Sequence, residues 1–315
     1  MRRRHRHRLH AEDADRGARL SDIVNIEPAR KRRLPEWFRV PAPGNAEYRS
    51  LKRLVEEKQL HTVCESARCP NIGECWGART ATFMILGDIC TRSCGFCAVK
   101  TGRPIGLDGD EPVRVGEAVE ALGLRHAVIT SVNRDELEDG GAGIFAETIR
   151  QVHLKCPETS VEVLIPDFQG NWDALQLVLD AGPEILNHNV ETVPRLYRTM
   201  RPQAKYQQSL ELLEHAKTAR PDIPVKSGIM VGAGETREEV DGTIRDIAAQ
   251  GTDILTIGQY LQPTPDHVPI ERFYEPSEFA EMRLFAETLG YKHVESGPLV
   301  RSSYHAADQA APLTT

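Results

Sequence analysis

From residue 81 onward the chain repeats one pattern: a short, near-continuous apolar run rich in β-branched residues, then a stretch with apolar residues at helical spacing. The runs are Ala81–Leu86, His126–Thr130, Val161–Ile165, Ile185–Val190, Val225–Val231 and Ile254–Leu261. A strand with one wet face alternates polar and apolar positions, whereas a parallel strand covered on both faces reads as a continuous apolar run. The intervening stretches Val115–Leu122, Ile144–Lys155, Trp172–Leu179, Ser209–Ala219, Arg237–Ala249 and Ser277–Leu289 carry apolar residues at helical spacing and predict helices. Strands alternating with helices predict a parallel α/β architecture. No run leads into a GxGxxG turn, which disfavours a dinucleotide-binding Rossmann domain and leaves an incomplete TIM-like barrel as the expected fold. In such a barrel the chemistry sits at the C-terminal ends of the strands.

The flanks break this pattern. Residues 1–60 are polar and charged, punctuated by Pro35, Pro41 and Pro43, with a short helix predicted at Tyr48–Lys58. This extension is expected to be partly disordered and to wrap the surface rather than form a core. Its first residues, MRRRHRHRLH, lack the apolar segment of a secretory signal, and Glu12, Asp13 and Asp15 fit an Arg-rich transit peptide poorly. Residues 61–80 carry three cysteines, a proline and two glycines, a loop that metal ligation would have to order. The expected organisation is therefore an extension at 1–60, a cysteine loop at 61–80, the barrel at 81–290 and a C-terminal tail at 291–315.

Composition narrows the function. The 315 residues are 40% hydrophobic and 27% charged, as in ordinary globular proteins. No apolar stretch approaches the roughly 20 residues of a membrane span, and a net charge of −7 argues against a nucleic-acid partner. Six of the seven cysteines fall between Cys64 and Cys97. Clustering in a long chain without a signal points to metal rather than disulfides, hence to a reducing, cytoplasmic compartment.

Cys90, Cys94 and Cys97 form CxxxCxxC directly after the first strand. Three cysteines can hold three irons of a [4Fe–4S] cube and leave the fourth open to a small molecule. A zinc site normally closes with four ligands. With Phe96 inside it, this motif resembles that of the radical S-adenosylmethionine superfamily. The resemblance implies that the open iron chelates S-adenosylmethionine and that one electron splits it to a 5′-deoxyadenosyl radical. Cys64, Cys69 and Cys75 form a second trio, CxxxxCxxxxxC. Taken alone, it fits a loop-stapling zinc with one ligand missing or a second cluster completed from elsewhere.

Together the trios resemble the lipoyl synthase family. The likeness runs from about His61 to Ala306 through CESARCPNIGECW, GDICTRSCGFCAV, DGGAGIF, NHNVETVPRLYRTMRP, GIMVGAGET, TIGQYLQPTPDHVPIERFYEP and GPLVRSSYHA. It implies a partial (β/α)6 TIM-like barrel with N- and C-terminal extensions and two [4Fe–4S] clusters. It also implies insertion of two sulfurs, at C6 and C8 of an octanoyl-lysine, with the auxiliary cluster as donor. The implied partners are an octanoylated lipoyl carrier, either H-protein or the acyltransferase subunits of 2-oxoacid dehydrogenases, an electron donor such as flavodoxin or ferredoxin, and an iron–sulfur carrier protein. The family's RSSY motif stands at Arg301–Tyr304, so Ser303 is the implied fourth auxiliary ligand, with Arg301 beside it in the reaction site. Such chemistry needs the cofactor, because aliphatic C–H bonds have no acidity for a side-chain base to use.

Contacts to S-adenosylmethionine are expected from the polar strand ends: Thr130 and Asn133 after the second strand, Glu191 after the fourth, and Gly140 and Gly141 of Asp139-Gly140-Gly141-Ala142. Related enzymes carry GGE there, so Ala142 leaves the role of Asp139 open. Gly232-Ala-Gly234-Glu235 is either an adenine contact or a tight turn. Cys156, Trp76 and Trp172 read as structural. Biotin-synthase-like sulfur insertion would not need the second trio, and a methylthiolating enzyme would normally add a basic RNA-binding domain. A non-enzymatic electron carrier or zinc-stapled binding module is separated from these by iron content and reductive cleavage of S-adenosylmethionine.

Overall fold

The continuous apolar runs assemble as a parallel sheet. The computed structural model describes residues 33–40, 44, 46–66, 69–306 and 309. The chain divides into Met1–Leu34 and Pro35–Thr315, and the second unit contains the elements that follow. The strands are β1 (His61–Thr62), β2 (Thr80–Ile85), β3 (Ile89–Cys90), β4 (Lys100–Thr101), β5 (His126–Ser131), β6 (Ser160–Leu164), β7 (Ile185–Asn187), β8 (Val225–Val231), β9 (Ile254–Gln259) and β10 (His293–Gly297). One sheet runs β1-β2-β5-β6-β7-β8-β9-β10, and β3 pairs with β4 in a small separate ribbon. Among the described residues only the β1–β2 pair in the large sheet is antiparallel.

The helices are α1 (Ala46–Glu57), α2 (Val63–Ser66), α3 (Ile72–Gly77), α4 (Glu111–Leu122), α5 (Ala142–Lys155), α6 (Trp172–Asp180), α7 (Tyr197–Met200), α8 (Tyr206–Ala219), α9 (Arg237–Ala249) and α10 (Pro276–Glu287). Local chemistry sets their starts: at α9, Thr236 and Glu239 cap each other's backbone N–H groups, satisfying donors that a helix N-terminus leaves orphaned. Apolar faces of α4, α5, α6, α8 and α9 cover the sheet in one continuous core.

Two features differ from expectation. Residues assigned to a surface wrap enter the core, where Leu51, Val55 and Leu60 are buried. Residues expected to begin the tail form β10, a seventh parallel strand on β9. Its sequence, HVESG, escapes detection because only Val294 is buried. The expected tract at 1–10 lies outside the described residues.

The interior is not wholly apolar. Glu162 of β6 and Lys226 of β8 are fully buried, with Lys226 Nζ 2.9 and 3.1 Å from the two carboxylate oxygens. Asn187 donates to Glu162 at 3.0 Å, and His126 lies 3.6 Å away. Burial pushes the Glu162 carboxyl up, but Lys226 and His126 outweigh it and hold the group ionised.

Candidate active site

The first cysteine loop hangs from the end of β2 and is closed by the β3–β4 ribbon, which pairs Ile89 with Lys100 and Cys90 with Thr101. Backbone N–H groups of Arg92 and Asn133 donate to Cys90 Sγ at 3.4 and 3.3 Å. Gly95 is clipped on both sides: its N–H donates to the Met200 carbonyl at 2.9 Å, and its carbonyl accepts from Val268 at 3.0 Å. The Cys97 carbonyl is 2.9 Å from His267 Nε2. Burial pushes the Cys94 thiol up to about 12, against the pull of Arg201, and also raises Cys97. Cys90, Cys97 and Glu191 all act electrostatically on Cys94, so the three thiols and this carboxyl share one neighbourhood.

The expected cofactor contacts divide. Asn133 stands on Cys90, which its amide also approaches at 3.8 Å, while its carbonyl accepts from Thr91 N–H at 3.1 Å. Glu191 holds an unusual left-handed backbone (φ 71°) and accepts from Asn189 at 3.1 Å. Burial raises its carboxyl above the usual range, with Arg201 pulling the other way. Gly141 sits at φ 92°, a backbone conformation that favours glycine, and a Cβ there would lie 2.3 Å from Leu86 Cδ1, so that side chain would have to shift. Gly140 precedes it at φ 59°. Asp139, whose role was open, accepts from the N–H groups of Gly141 and Gly143 at 2.9 and 2.8 Å and anchors the start of α5. Thr130 donates its hydroxyl to the Leu164 carbonyl at 2.9 Å, which commits its proton to the sheet. The Gly232–Glu235 segment is held as a turn: Glu235 accepts from Gly232 and Ala233 N–H groups and from the Tyr274 hydroxyl.

The second trio lies on α2, α3 and the segment joining them. Burial raises Cys64 to about 11, with Cys69 adding to the effect; it raises Cys75 to about 12, with Cys64 and Cys69 adding theirs. The C-terminal tail closes over this loop. Asn71 Nδ2 donates to the Leu299 carbonyl at 2.7 Å. The Tyr304 hydroxyl and His305 Nε2 each reach Glu74, at 3.2 Å. Arg301 is near enough to Cys69 to stabilise its thiolate. Gly258 permits the approach, since a Cβ there would meet the Val300 carbonyl oxygen at 2.2 Å. Leu299, Arg301, Tyr304 and His305 are thus brought to the second cysteine loop by tail contacts that the motif alone did not specify.

These donor sets suit iron–sulfur clusters. All six thiols are free, soft thiolates are the ligands such clusters take, and N–H groups already point at Cys90. Among the described residues no three Cys, His, Asp or Glu gather as closely as one metal ion requires; a cube spreads its thiolates over several irons. Around the first loop, Ser131 Oγ, Asn133 Oδ1 and Asn189 Oδ1 are buried polar atoms with no partner among the described residues, the state of groups that await a bound polar molecule. Trp76 and Trp172 pack as expected, on Tyr48 and His215, and Cys156 caps α5 away from both trios. Asn71, Glu74 and His267 fall inside the quoted motif stretches, but their partners Leu299, Tyr304 and Cys97 lie 228, 230 and 170 residues away, so the sequence named no role for them.

Comparison with known proteins agrees with this arrangement. The radical SAM superfamily pattern matches residues 84–247. The pattern for the N-terminal domain of lipoyl synthase matches residues 9–69, extending the likeness well upstream of His61. The chain is 60% identical over 275 residues to lipoyl synthase of Rubrobacter xylanophilus, covering 87% of this chain and 86% of that one. It is 59% identical over 290 residues to lipoyl synthase of Symbiobacterium thermophilum, covering 91% of each. Among solved structures, methylornithine synthase shares the fold at TM-score 0.53 and 15% identity, over 79% of this chain and 81% of that one. A maturase of the [FeFe]-hydrogenase does so at 0.52 and 14%, over 85% and 75%. The partial barrel, the two cysteine loops and this identity along most of the chain place the protein in the lipoyl synthase family of radical S-adenosylmethionine enzymes.

Proposed function

We propose that this chain carries two [4Fe–4S] clusters and inserts sulfur at C6 and C8 of an octanoyl-lysine on a carrier domain. When bound, the clusters and S-adenosylmethionine supply a carbon radical able to take unactivated hydrogen, and the sulfide to be inserted. Cys90, Cys94 and Cys97 hold the first cluster; Cys64, Cys69, Cys75 and Ser303 hold the second. Asn133 and Glu191, with the glycine turn at Gly140 and Gly141, bind S-adenosylmethionine, and Thr130 shapes the wall beside them. Arg301 lends positive charge next to Cys69. The observation that carries this reading is the tail's closure on the second cysteine loop, through Asn71–Leu299 and Glu74–Tyr304. It supports Ser303, in the same tail segment, as the oxygen ligand of a trio one ligand short.

The acyl carrier is H-protein or an acyltransferase subunit of a 2-oxoacid dehydrogenase, the electron donor a flavodoxin or ferredoxin, and an iron–sulfur carrier protein restores the sacrificed sulfide. Seven free thiols suit the reducing cytoplasm, and no helix among the described residues is long and apolar enough to cross a membrane. The test is anaerobic incubation with reductant, S-adenosylmethionine and an octanoyl-lysyl peptide, followed by mass spectrometry. Replacing Cys90, Cys94 and Cys97 by Ala is expected to abolish 5′-deoxyadenosine; replacing Cys64, Cys69 and Cys75 is expected to leave it and stop sulfur insertion. Equal loss of both products in both variants, or zinc in place of about eight irons per chain, would overturn the proposal.

A further inference from the structure

Between Cys90 and Cys94 the loop carries Arg92, and its side chain is turned into the protein, only 4% exposed. Its guanidinium makes two bidentate pairs. Nε and Nη2 donate to Asp135 at 2.7 and 2.8 Å. Nη1 and Nη2 donate to Asp167 at 2.8 and 2.6 Å. Asp135 follows β5 and Asp167 follows β6, so one cation ties the cysteine loop to two neighbouring strand ends. The same three segments are stitched further. Thr91 donates its hydroxyl to the Asn133 carbonyl at 3.1 Å and accepts from Asp135 N–H at 3.2 Å. Gln169 donates from its backbone to Asp167 at 3.0 Å and from its amide to the Asp135 carbonyl at 2.9 Å.

Stability alone is a poor reason for this arrangement, because apolar residues of similar volume usually serve a core as well as buried ions do. What a doubly bidentate guanidinium supplies is direction: a planar fork fixes the loop's orientation, which an ammonium's point charge does not. Resting on the reading that Cys90, Cys94 and Cys97 hold a cluster, we infer that Arg92 is the positioning residue of that cluster's loop. Asp135 and Asp167 are its anchors. The triad adds one net negative charge beside the cluster. Outer groups of this kind orient the ligands, and nearby charge is one determinant of cluster potential.

The two effects separate by substitution. Arg92→Lys keeps the charge and loses the fork. Asp135→Asn removes one negative charge and leaves the Asp167 pair intact at a half-exposed position. Full-length wild type and both variants are reconstituted anaerobically, checked by thermal melting, and compared in two measurements. The first is the rate of iron loss to a chelator. The second is the midpoint potential of the electron paramagnetic resonance signal that responds to S-adenosylmethionine.

Arg92→Lys is expected to release iron about 10- to 100-fold faster with its potential unmoved. Asp135→Asn is expected to release iron at an intermediate rate with a more positive potential. If Arg92→Lys fails to fold, Asp135→Asn decides alone. Iron loss at the wild-type rate from either folded variant overturns the inference, as does a potential that moves in Arg92→Lys but not in Asp135→Asn. Wild type without any S-adenosylmethionine-sensitive signal would instead overturn the cluster reading beneath it.

Discussion

Adding a single methyl group at Gly258 tests whether tail docking completes the second site. Gly258 pairs with Met230 and Gly297 in the sheet. A Cβ there would lie 2.2 Å from the Val300 carbonyl oxygen and 3.1 Å from its carbon. Both obstacles are backbone, so the tail must move rather than a rotamer. Docking rests on burial of Val300 (4% exposed), which contributes about 1.5–3 kcal/mol, and on bonds such as Asn71–Leu299, about 1 kcal/mol net. Overpacking of this kind costs about 1–3 kcal/mol, comparable with what holds the tail. At about 1.4 kcal/mol per decade, the docked-to-undocked ratio falls by about 5- to 150-fold. Gly258→Ala is therefore expected to form 5′-deoxyadenosine and to lose lipoyl product by up to a factor in that range, both read in one single-turnover reaction by mass spectrometry. Gly297→Ala is the control: its Cβ would meet only Val300 Cγ2, at 3.4 Å, an ordinary contact. A wild-type product ratio in Gly258→Ala, or equal damage in Gly297→Ala, refutes the reasoning.

Ser303→Cys is expected to keep both clusters and S-adenosylmethionine cleavage yet make little lipoyl product, since a softer ligand holds its iron more firmly; iron counts and single-turnover yields check this, with Ser302→Ala much milder. Lys226→Met leaves the Glu162 carboxylate buried without its cation and is expected to lower unfolding free energy by about 3–5 kcal/mol, measured by urea denaturation. Adding Glu162→Gln should restore most of that loss. His188 is held neutral, its pKa pushed down to about 4 by burial and Arg201. The unfolded chain binds the proton first, so stability is complete above about pH 6.5 and falls by up to about 3 kcal/mol toward pH 4. In His188→Gln this contribution to the acid-side slope is expected to vanish, and the stability gap to wild type to narrow on acidification.

How much of this was legible depends on where the signal lives. Val225–Val231 and Arg237–Ala249 are found with both ends in place, because a strand buried on both faces and an amphipathic helix write their burial into neighbouring residues. β10 is silent, being a half-exposed edge strand with one buried apolar side chain. Cysteine spacing is local and therefore readable. The Arg92 anchors lie 43 and 75 residues away, and no spacing rule links an arginine to carboxylates that only the barrel's closure brings near. Thr130 shows how a strand-end polar residue serves the sheet as well: its hydroxyl donates to the neighbouring strand and keeps its lone pairs free to accept. Asp139, left open by the missing GGE glutamate, proves to be a backbone anchor.

The bond from Asn71 to Leu299 spans 228 residues of chain. A nascent protein emerges from its N-terminus, so the second cysteine trio is made early and waits through synthesis of nearly the whole barrel before its lid exists. Until then its thiols stand open to oxidants, stray metals and cluster-delivery proteins. The contact thus works as an order of assembly: cluster loading can precede closure, and closure follows synthesis of residue 299. A message cut short before residue 299 is expected to leave the thiol loop unguarded, a state recognisable by rapid alkylation of Cys69 and Cys75.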